Sequence, residues 1–284
     1  MVIPAQNLPS EQGDSETAPC PVRLDAALAA RGLARSRTHA TQLIADGLVT
    51  VDGAAVVKAA HKVRPEARIE VAIADHYVSR AAHKLVAALD AFPVPVADAL
   101  VLDAGASTGG FTQVLLERGA RRVIALDVGH DQLVPLLRDD PRVSVVEGCN
   151  VRFLTAAQLT DLTGLDERPS VVVGDLSFIS LTQVLPALVS VVAEPAEAVL
   201  LVKPQFEVGR GGVKEGVVKN AALRADAISA VLWAAWDLGL GTAGLIPSPI
   251  VGTHGNHEYL VWISARHGRN PTEWMQQITS MAGA

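Results

Sequence analysis

The sequence predicts an α/β protein in which a seven-stranded, mostly parallel sheet follows a small N-terminal α+β module. Three observations predict it. From residue 98 onward, short Val-, Leu- and Ile-rich stretches alternate with helical patterns, as parallel strands covered by helices do. The first stretch, Val101-Leu102-Asp103, runs straight into Ala104-Gly105-Ala106-Ser107-Thr108-Gly109-Gly110-Phe111, a glycine-rich turn that opens a helix. Residues 22–74 have another rhythm, two short helices and a hairpin. A chain of 284 residues, 49% hydrophobic and 4% aromatic, has room for one large and one small domain.

Residues 1–21, rich in Pro, Ser, Glu and Gln without periodicity, are expected to form a disordered tail. After Arg23, Leu24 and Leu28 share a helix face and Gly32 ends the segment. Ser36 is placed to cap a second helix carrying Ala40, Leu43 and Ile44, with Gly47 as its stop. Residues 48–57 form a hairpin turning on Asp52-Gly53, and Ile69–Ile73 supplies a closing strand. Residues 75–80 read as a linker in which Tyr77 packs. Arg80–Leu89 is an amphipathic helix entering the second domain, residues 81–284. Its strands are expected at Ala99–Asp103, Arg122–Asp127, Val143–Glu147, Val171–Asp175, Ala198–Lys203, Thr242–Pro247 and Tyr259–Ser264, the last two forming a hairpin that places one strand antiparallel. Trp233 and Trp236 are expected in the core.

No apolar run reaches the ~18 residues of a membrane span, and no basic-then-apolar leader opens the chain, so a cytoplasmic protein is expected. Cys20 and Cys149 are isolated, which argues against disulfides and zinc, and no other metal cluster is expected. The net charge of −6 speaks against nucleic acid, but its distribution does not. Residues 20–90 carry ten Lys and Arg against seven Asp and Glu, while residues 91–284 carry fourteen against twenty. Phosphates respond to local charge, and Arg31, Arg35 and Arg37 crowd one helix junction. They mark either an RNA-binding surface or a solvated face.

The glycine turn narrows the ligand. A dinucleotide site wants glycine where Ser107 stands, and a phosphate loop wants a Gly-Lys pair that is missing. What remains is a small-residue turn whose helix N–H groups suit a carboxylate such as the methionine end of S-adenosylmethionine, or a tight turn without ligand. Asp127 closes the second strand, where an acid accepts hydrogen bonds from ribose hydroxyls or caps the next helix. The candidate cofactor residues are Asp103, Gly105, Ser107, Thr108, Gly109, Gly110, Phe111 and Asp127. Lys84, Asp175, Lys203 and Glu258 lie where an α/β sheet keeps its active site, at or facing the C-terminal strand ends. Charged groups there are costly unless paired, so they form either a structural ion-pair network or catalytic machinery.

Two resemblances sharpen this. Arg23-Leu24-Asp25, Leu28, Arg31-Gly32, Ser36-Arg37, Ala40, Ile44, Gly47, Val49, Val51-Asp52-Gly53 and Lys58 resemble the S4-like RNA-binding domain. That implies recognition of structured RNA through shape and backbone, with Arg23, Arg31, Arg35 and Arg37 as candidate contacts. Lys84, Asp175, Lys203 and Glu258 resemble the Lys-Asp-Lys-Glu tetrad of FtsJ-like ribose 2′-O-methyltransferases, on a Rossmann-like methyltransferase sheet. Their contexts, Ser79–Leu85, Asp103–Thr112, Asp175–Leu181, Leu201–Glu207 and Gly255–Tyr259, are similar to the TlyA family, historically called haemolysins. The resemblance implies methylation of cytidine ribose in small- or large-subunit rRNA. Its rivals are an RNA- or ribosome-binding protein with an inactive methyltransferase fold, and a membrane-active haemolysin.

Methyl transfer to a ribose oxygen is an in-line displacement, so donor and hydroxyl must be held collinear while one proton leaves. Lys203 is expected to be the base, Asp175 and Lys84 to orient and tune it, and Glu258 to fix Lys203 or the ribose. The loop Gly209–Gly216 carries Arg210 and Lys214, and is expected either to close over RNA or to be a plain mobile loop.

Overall fold

The computed structural model describes residues 21–34, 36–45, 47–71, 76–209, 212–213, 216–252 and 255–283. The chain divides into two compact units, residues 1–76 and 77–284. Arg35, Arg210, Lys214, the tail through residue 20 and residues 72–75 lie outside the described residues.

In the first unit, β1 (Val22–Arg23), α1 (Leu24–Ala30), α2 (Arg37–Ala45), β2 (Val49–Val51), β3 (Ala54–Ala55), β4 (Lys62–Val63) and β5 (Ile69–Val71) follow in order. Leu24, Leu28, Ala40 and Ile44 are fully buried where α1 and α2 meet, as their spacing requires. Both helices stop at glycines with positive φ, Gly32 (+70°) and Gly47 (+71°). Asp52 (+51°) and Gly53 (+83°) both take left-handed φ, the two-residue turn that suits strand twist, and Val51 pairs with Ala54 across it. The β1–β4 pair was not expected, because two-residue strands carry no periodicity.

The arginines of this unit divide by partner. Asp25 is buried and accepts from the guanidiniums of both Arg23, at 3.0 and 3.1 Å, and Arg37, at 2.9 Å. These bonds, Arg23's foremost, hold its carboxyl well below the usual carboxylate range. Both guanidinium side chains remain open to solvent, 44% and 61% exposed. Arg31 instead donates to the carbonyls of Ala67 (2.7 Å), Pro65 (2.6 Å) and Arg64 (3.3 Å), clamping the segment before β5.

The second unit runs α3 (Ala82–Ala91), β6 (Leu100–Ala104), α4 (Gly110–Glu117), β7 (Arg122–Leu126), α5 (Pro135–Arg138), β8 (Val143–Val146), α6 (Ala156–Thr163), β9 (Val171–Gly174), α7 (Leu181–Val191), β10 (Glu197–Val202), α8 (Pro204–Glu207), α9 (Ala221–Asp237), β11 (Gly241–Pro247), β12 (Tyr259–Ser264) and α10 (Met275–Gly283). The sheet order is β11-β12-β10-β9-β6-β7-β8, with β12 antiparallel to both neighbours and the other pairs parallel. Leu100, Leu102 and Ala104 of β6 face a core shared with α7, α9 and α10, while Val101 faces one shared with α3 and α4. Strands covered on both faces read as unbroken apolar runs, which is why the sequence shows them. The chain leaves β6 for β7 and β8, then returns to β9 on the other side. That reversal opens a crevice at the carboxyl ends of β6 and β9.

Trp233 and Trp236 correct an expectation. Each is 39% exposed on α9, whose buried face is Ala227, Ile228, Val231, Leu232 and Ala235. The helix is apolar nearly all round, so its sequence does not say which side is covered. Among the described residues no helix is long and apolar enough to cross a membrane.

Candidate active site

The glycine turn forms the floor of the crevice. Gly105 has φ +85°, and a Cβ there would stand 3.1 Å from Leu176 and 3.2 Å from the Asp175 carbonyl. A side chain on Gly110 would meet Ser79 and the Ala82 N–H at 3.0 and 3.1 Å, so glycine lets α3 approach the start of α4. Ser107, where a dinucleotide fold keeps glycine, also has left-handed φ (+47°). Its N–H donates to Asp127 Oδ2 at 2.8 Å, while Asp127 Oδ1 accepts from Gly129 N–H at 2.7 Å. Asp127 thus latches the turn to the loop after β7. Strain in a non-glycine residue held by such a latch is typical of ligand sites.

Two adjoining cavities lie above this floor. The larger, about 470 Å³, is lined by Gly105, Ser107, Asp127, Asn150, Phe178 and others. The smaller, about 180 Å³, is lined by Ser79, Gly105, Ser107, Thr108, Gly110, Phe111, Asp175, Ser177 and Lys203. Their shared walls are Gly105, Ser107, Asp175 and Ser177. The larger volume is of the size that takes a nucleoside-like ligand.

Asp103 and Gly109, both expected as cofactor contacts, line neither cavity. Asp103 is fully buried beneath the turn, and its Oδ2 accepts from Thr112 Oγ1 at 2.7 Å. Burial pushes its carboxyl up to about 7. The acid is therefore more protonated folded than unfolded between about pH 4 and pH 7, so its contribution to stability is present at low pH and lost as pH rises through 7. Asp103→Asn is expected to gain stability over wild type progressively across that window and to level off above it. The gain is on the order of a few kcal/mol, each tenfold in proton affinity being worth roughly 1.4 kcal/mol. Thermal melts between pH 4 and 9 check this, and a constant difference between the two proteins contradicts it. Gly109 has φ +102°, and a Cβ would run into Leu137 and Leu133, so its place is set by packing.

The four charged residues meet in one chain of contacts. Lys203 Nζ lies 2.6 Å from Asp175 Oδ1 and donates to Ser177 Oγ at 2.8 Å. Lys84 Nζ lies 3.4 Å from Asp175 Oδ2 and 2.8 Å from Glu258 Oε2. Glu258 therefore partners Lys84 rather than Lys203, one of its two expected partners, the other being the ribose. Lys84, Lys203 and Glu258 are all buried, at 7%, 8% and 4% exposure, so each charge depends on its partners. Burial alone raises the Asp175 carboxyl, but the ammonium groups of Lys203 and Lys84 outweigh it and hold the acid below its usual range. Asp175 directly follows β9 and Lys203 directly follows β10, neighbouring parallel strands, while Glu258 precedes β12 on the far side of β10. Sheet topology alone brings together residues as distant in sequence as Lys84 and Glu258.

Sequence reasoning missed Ser177, Phe178 and Asn150. Asn150 follows β8, so the rule that ligands bind at strand carboxyl ends points to it. Phe178 is 90% exposed with φ +65° and packs on Phe206 at a ring distance of 5.2 Å, an arrangement no local pattern announces. Among the described residues no group of three His, Cys, Asp or Glu is placed to hold a metal.

The FtsJ-like methyltransferase model matches residues 77–265, and the S4 domain model matches residues 22–69. The 16S/23S rRNA (cytidine-2′-O)-methyltransferase TlyA of Mycobacterium tuberculosis is 49% identical over 250 residues, 87% of this chain and 91% of that protein. The chain belongs to the TlyA family of FtsJ-like methyltransferases. A second relative, Hemolysin A of Brachyspira hyodysenteriae, is 41% identical over 84% of this chain and 98% of its own length. A solved structure of a hemolysin candidate from Streptococcus thermophilus superposes with a TM-score of 0.72 at 36% identity, covering 93% of this chain and 96% of that one.

Proposed function

We propose that this TlyA-family chain methylates the 2′-hydroxyl of cytidine in small- or large-subunit rRNA, using S-adenosylmethionine, and works in the cytoplasm where ribosomes are. The observation that carries the reading is the continuous contact chain Lys203–Asp175–Lys84–Glu258 opening on a cavity whose floor is the glycine turn. The turn, the Asp127 latch and the larger cavity fit a nucleoside with an amino-acid tail: Asp127 is the ribose acceptor, and Ser107, Thr108, Gly110 and Phe111 line the path toward Lys203. When bound, the cofactor supplies a methyl group on a positively charged sulfur. Lys203 takes the ribose proton, Asp175 orients the amine, and Lys84 and Glu258 hold Asp175 in place. The decisive measurement is mass spectrometry of rRNA ribose methylation in cells with and without the protein. An unchanged pattern favours a ribosome-binding role without catalysis.

A division of labour follows, with residues 22–74 binding RNA and residues 81–284 carrying the chemistry, joined by the linker at 75–80. The exposed pair Arg23 and Arg37 are the phosphate contacts, with Arg35, Arg210 and Lys214 as further candidates for contact with RNA. Arg23→Ala with Arg37→Ala, made together with Asp25→Asn so that no lone buried carboxylate remains, is expected to weaken rRNA binding. The slope of log affinity against log salt should become shallower by up to about two. Arg31→Ala instead lowers the thermal stability of the module, by roughly 1–2 kcal/mol for a lost carbonyl clamp. An untouched salt slope in the first variant moves RNA recognition to Arg210 and Lys214.

A further inference from the structure

We propose that Ser177 is a positioning residue for methyl transfer, acting through Lys203; this rests on the reading of Lys203 as the base. An amine on a tetrahedral nitrogen has three directions besides its bond to carbon. At Lys203 one is taken by Ser177 Oγ, which accepts at 2.8 Å, while Asp175 Oδ1 lies 2.6 Å away as an ion-pair partner outside hydrogen-bond geometry. When the amine is neutral it has two N–H donors and one lone pair. With one N–H given to Ser177 and the other drawn toward the Asp175 carboxylate, the lone pair is left in the remaining direction. Asp175 alone cannot fix that direction, because attraction to one carboxylate leaves the lone pair free to take either of the other two positions. Ser177, by accepting an N–H, removes that choice, and a lone pair aimed before the substrate hydroxyl arrives is the preorganisation that proton abstraction rewards.

Ser177 is placed for this. It lines both cavities together with Asp175, and Lys203 lines the smaller one. Its loop is also tied to the base. Glu207 accepts from Ser180 Oγ at 2.5 Å and from Leu181 N–H at 2.9 Å, and Phe206 packs on Phe178. Phe206 and Glu207 belong to α8, which starts at the residue after Lys203. The loop that carries the hydroxyl is therefore anchored to the segment that follows the base.

The test is methyl transfer by the full chain on purified, unmethylated ribosomal subunits. Ser177→Ala is expected to lower kcat on the order of 10-fold with the KM for S-adenosylmethionine unchanged within about twofold. Ser177→Thr, which restores a hydroxyl, should recover most of the rate. A full rate in Ser177→Ala overturns the inference. So does a KM for S-adenosylmethionine that rises in step with the loss, which makes Ser177 a cofactor contact, or a Thr variant as slow as the Ala one. Lys203→Ala run alongside separates the two layers. If it keeps its rate, the base reading falls and this inference with it; if it is inactive while Ser177→Ala runs at full speed, only the Ser177 inference falls.

Discussion

Replacing Lys203 by Ala or by Arg is expected to slow ribose methylation by ~10²-fold or more in a single turnover, while S-adenosylmethionine still binds. The two variants answer different questions. Alanine removes the amine but leaves Asp175, its side chain 14% exposed, with Lys84 at 3.4 Å as its remaining ion-pair partner among the described residues, so part of its effect is a lost ion pair. Arginine keeps a permanent cation beside Asp175 and cannot give up its proton at working pH. If Lys203 serves mainly as a charge, the Arg variant stays active; if it is the base, both fail. Melting curves of each variant separate a folding defect from a chemical one. Near-normal single-turnover rates in both remove the base assignment and leave orientation as the tetrad's contribution.

The sequence showed the strands of the catalytic domain because they are buried on both faces, and such strands are unbroken apolar runs. Val171–Gly174 and Glu197–Val202 are buried at every position. Asp52-Gly53 was legible because few residue pairs accept two successive left-handed conformations. The tetrad was legible as residue types at strand ends, but its wiring was not. Nothing local says that Glu258 reaches Lys84, since that contact is made by the placement of β12 beside β10. Asp103 was read as a ligand contact because it sits in the motif, yet strand alternation turns its side chain under the turn toward Thr112. Arg31 was grouped with Arg23 and Arg37 by proximity in sequence, and only the fold shows its guanidinium spent on backbone carbonyls.

Cofactor binding is expected to fail in Gly105→Arg and to weaken strongly in Asp127→Ala, for different reasons. At position 105 the backbone has φ +85°, which L side chains rarely adopt, and the new Cβ would stand 3.1 Å from Leu176 and 3.2 Å from the Asp175 carbonyl. Gly105 lines both cavities, so an arginine there also fills the space where the ligand would pass. At position 127 the loss is of an acceptor. The carboxylate holds the Ser107 and Gly129 N–H groups, and without it Ser107 has little to keep it at its left-handed φ of +47°. Asp127→Asn separates latch from charge, because its amide oxygen can still accept from one backbone N–H while the second acceptor and the negative charge are gone. Calorimetric titration with S-adenosylmethionine should therefore rank affinity as wild type, then Asp127→Asn, then Asp127→Ala, with no measurable heat for Gly105→Arg. Circular dichroism on the same samples shows whether the sheet is intact. Full affinity in a folded Asp127→Ala and a folded Gly105→Arg would remove the cofactor from this crevice, and with it the geometric basis for Lys203 as the base.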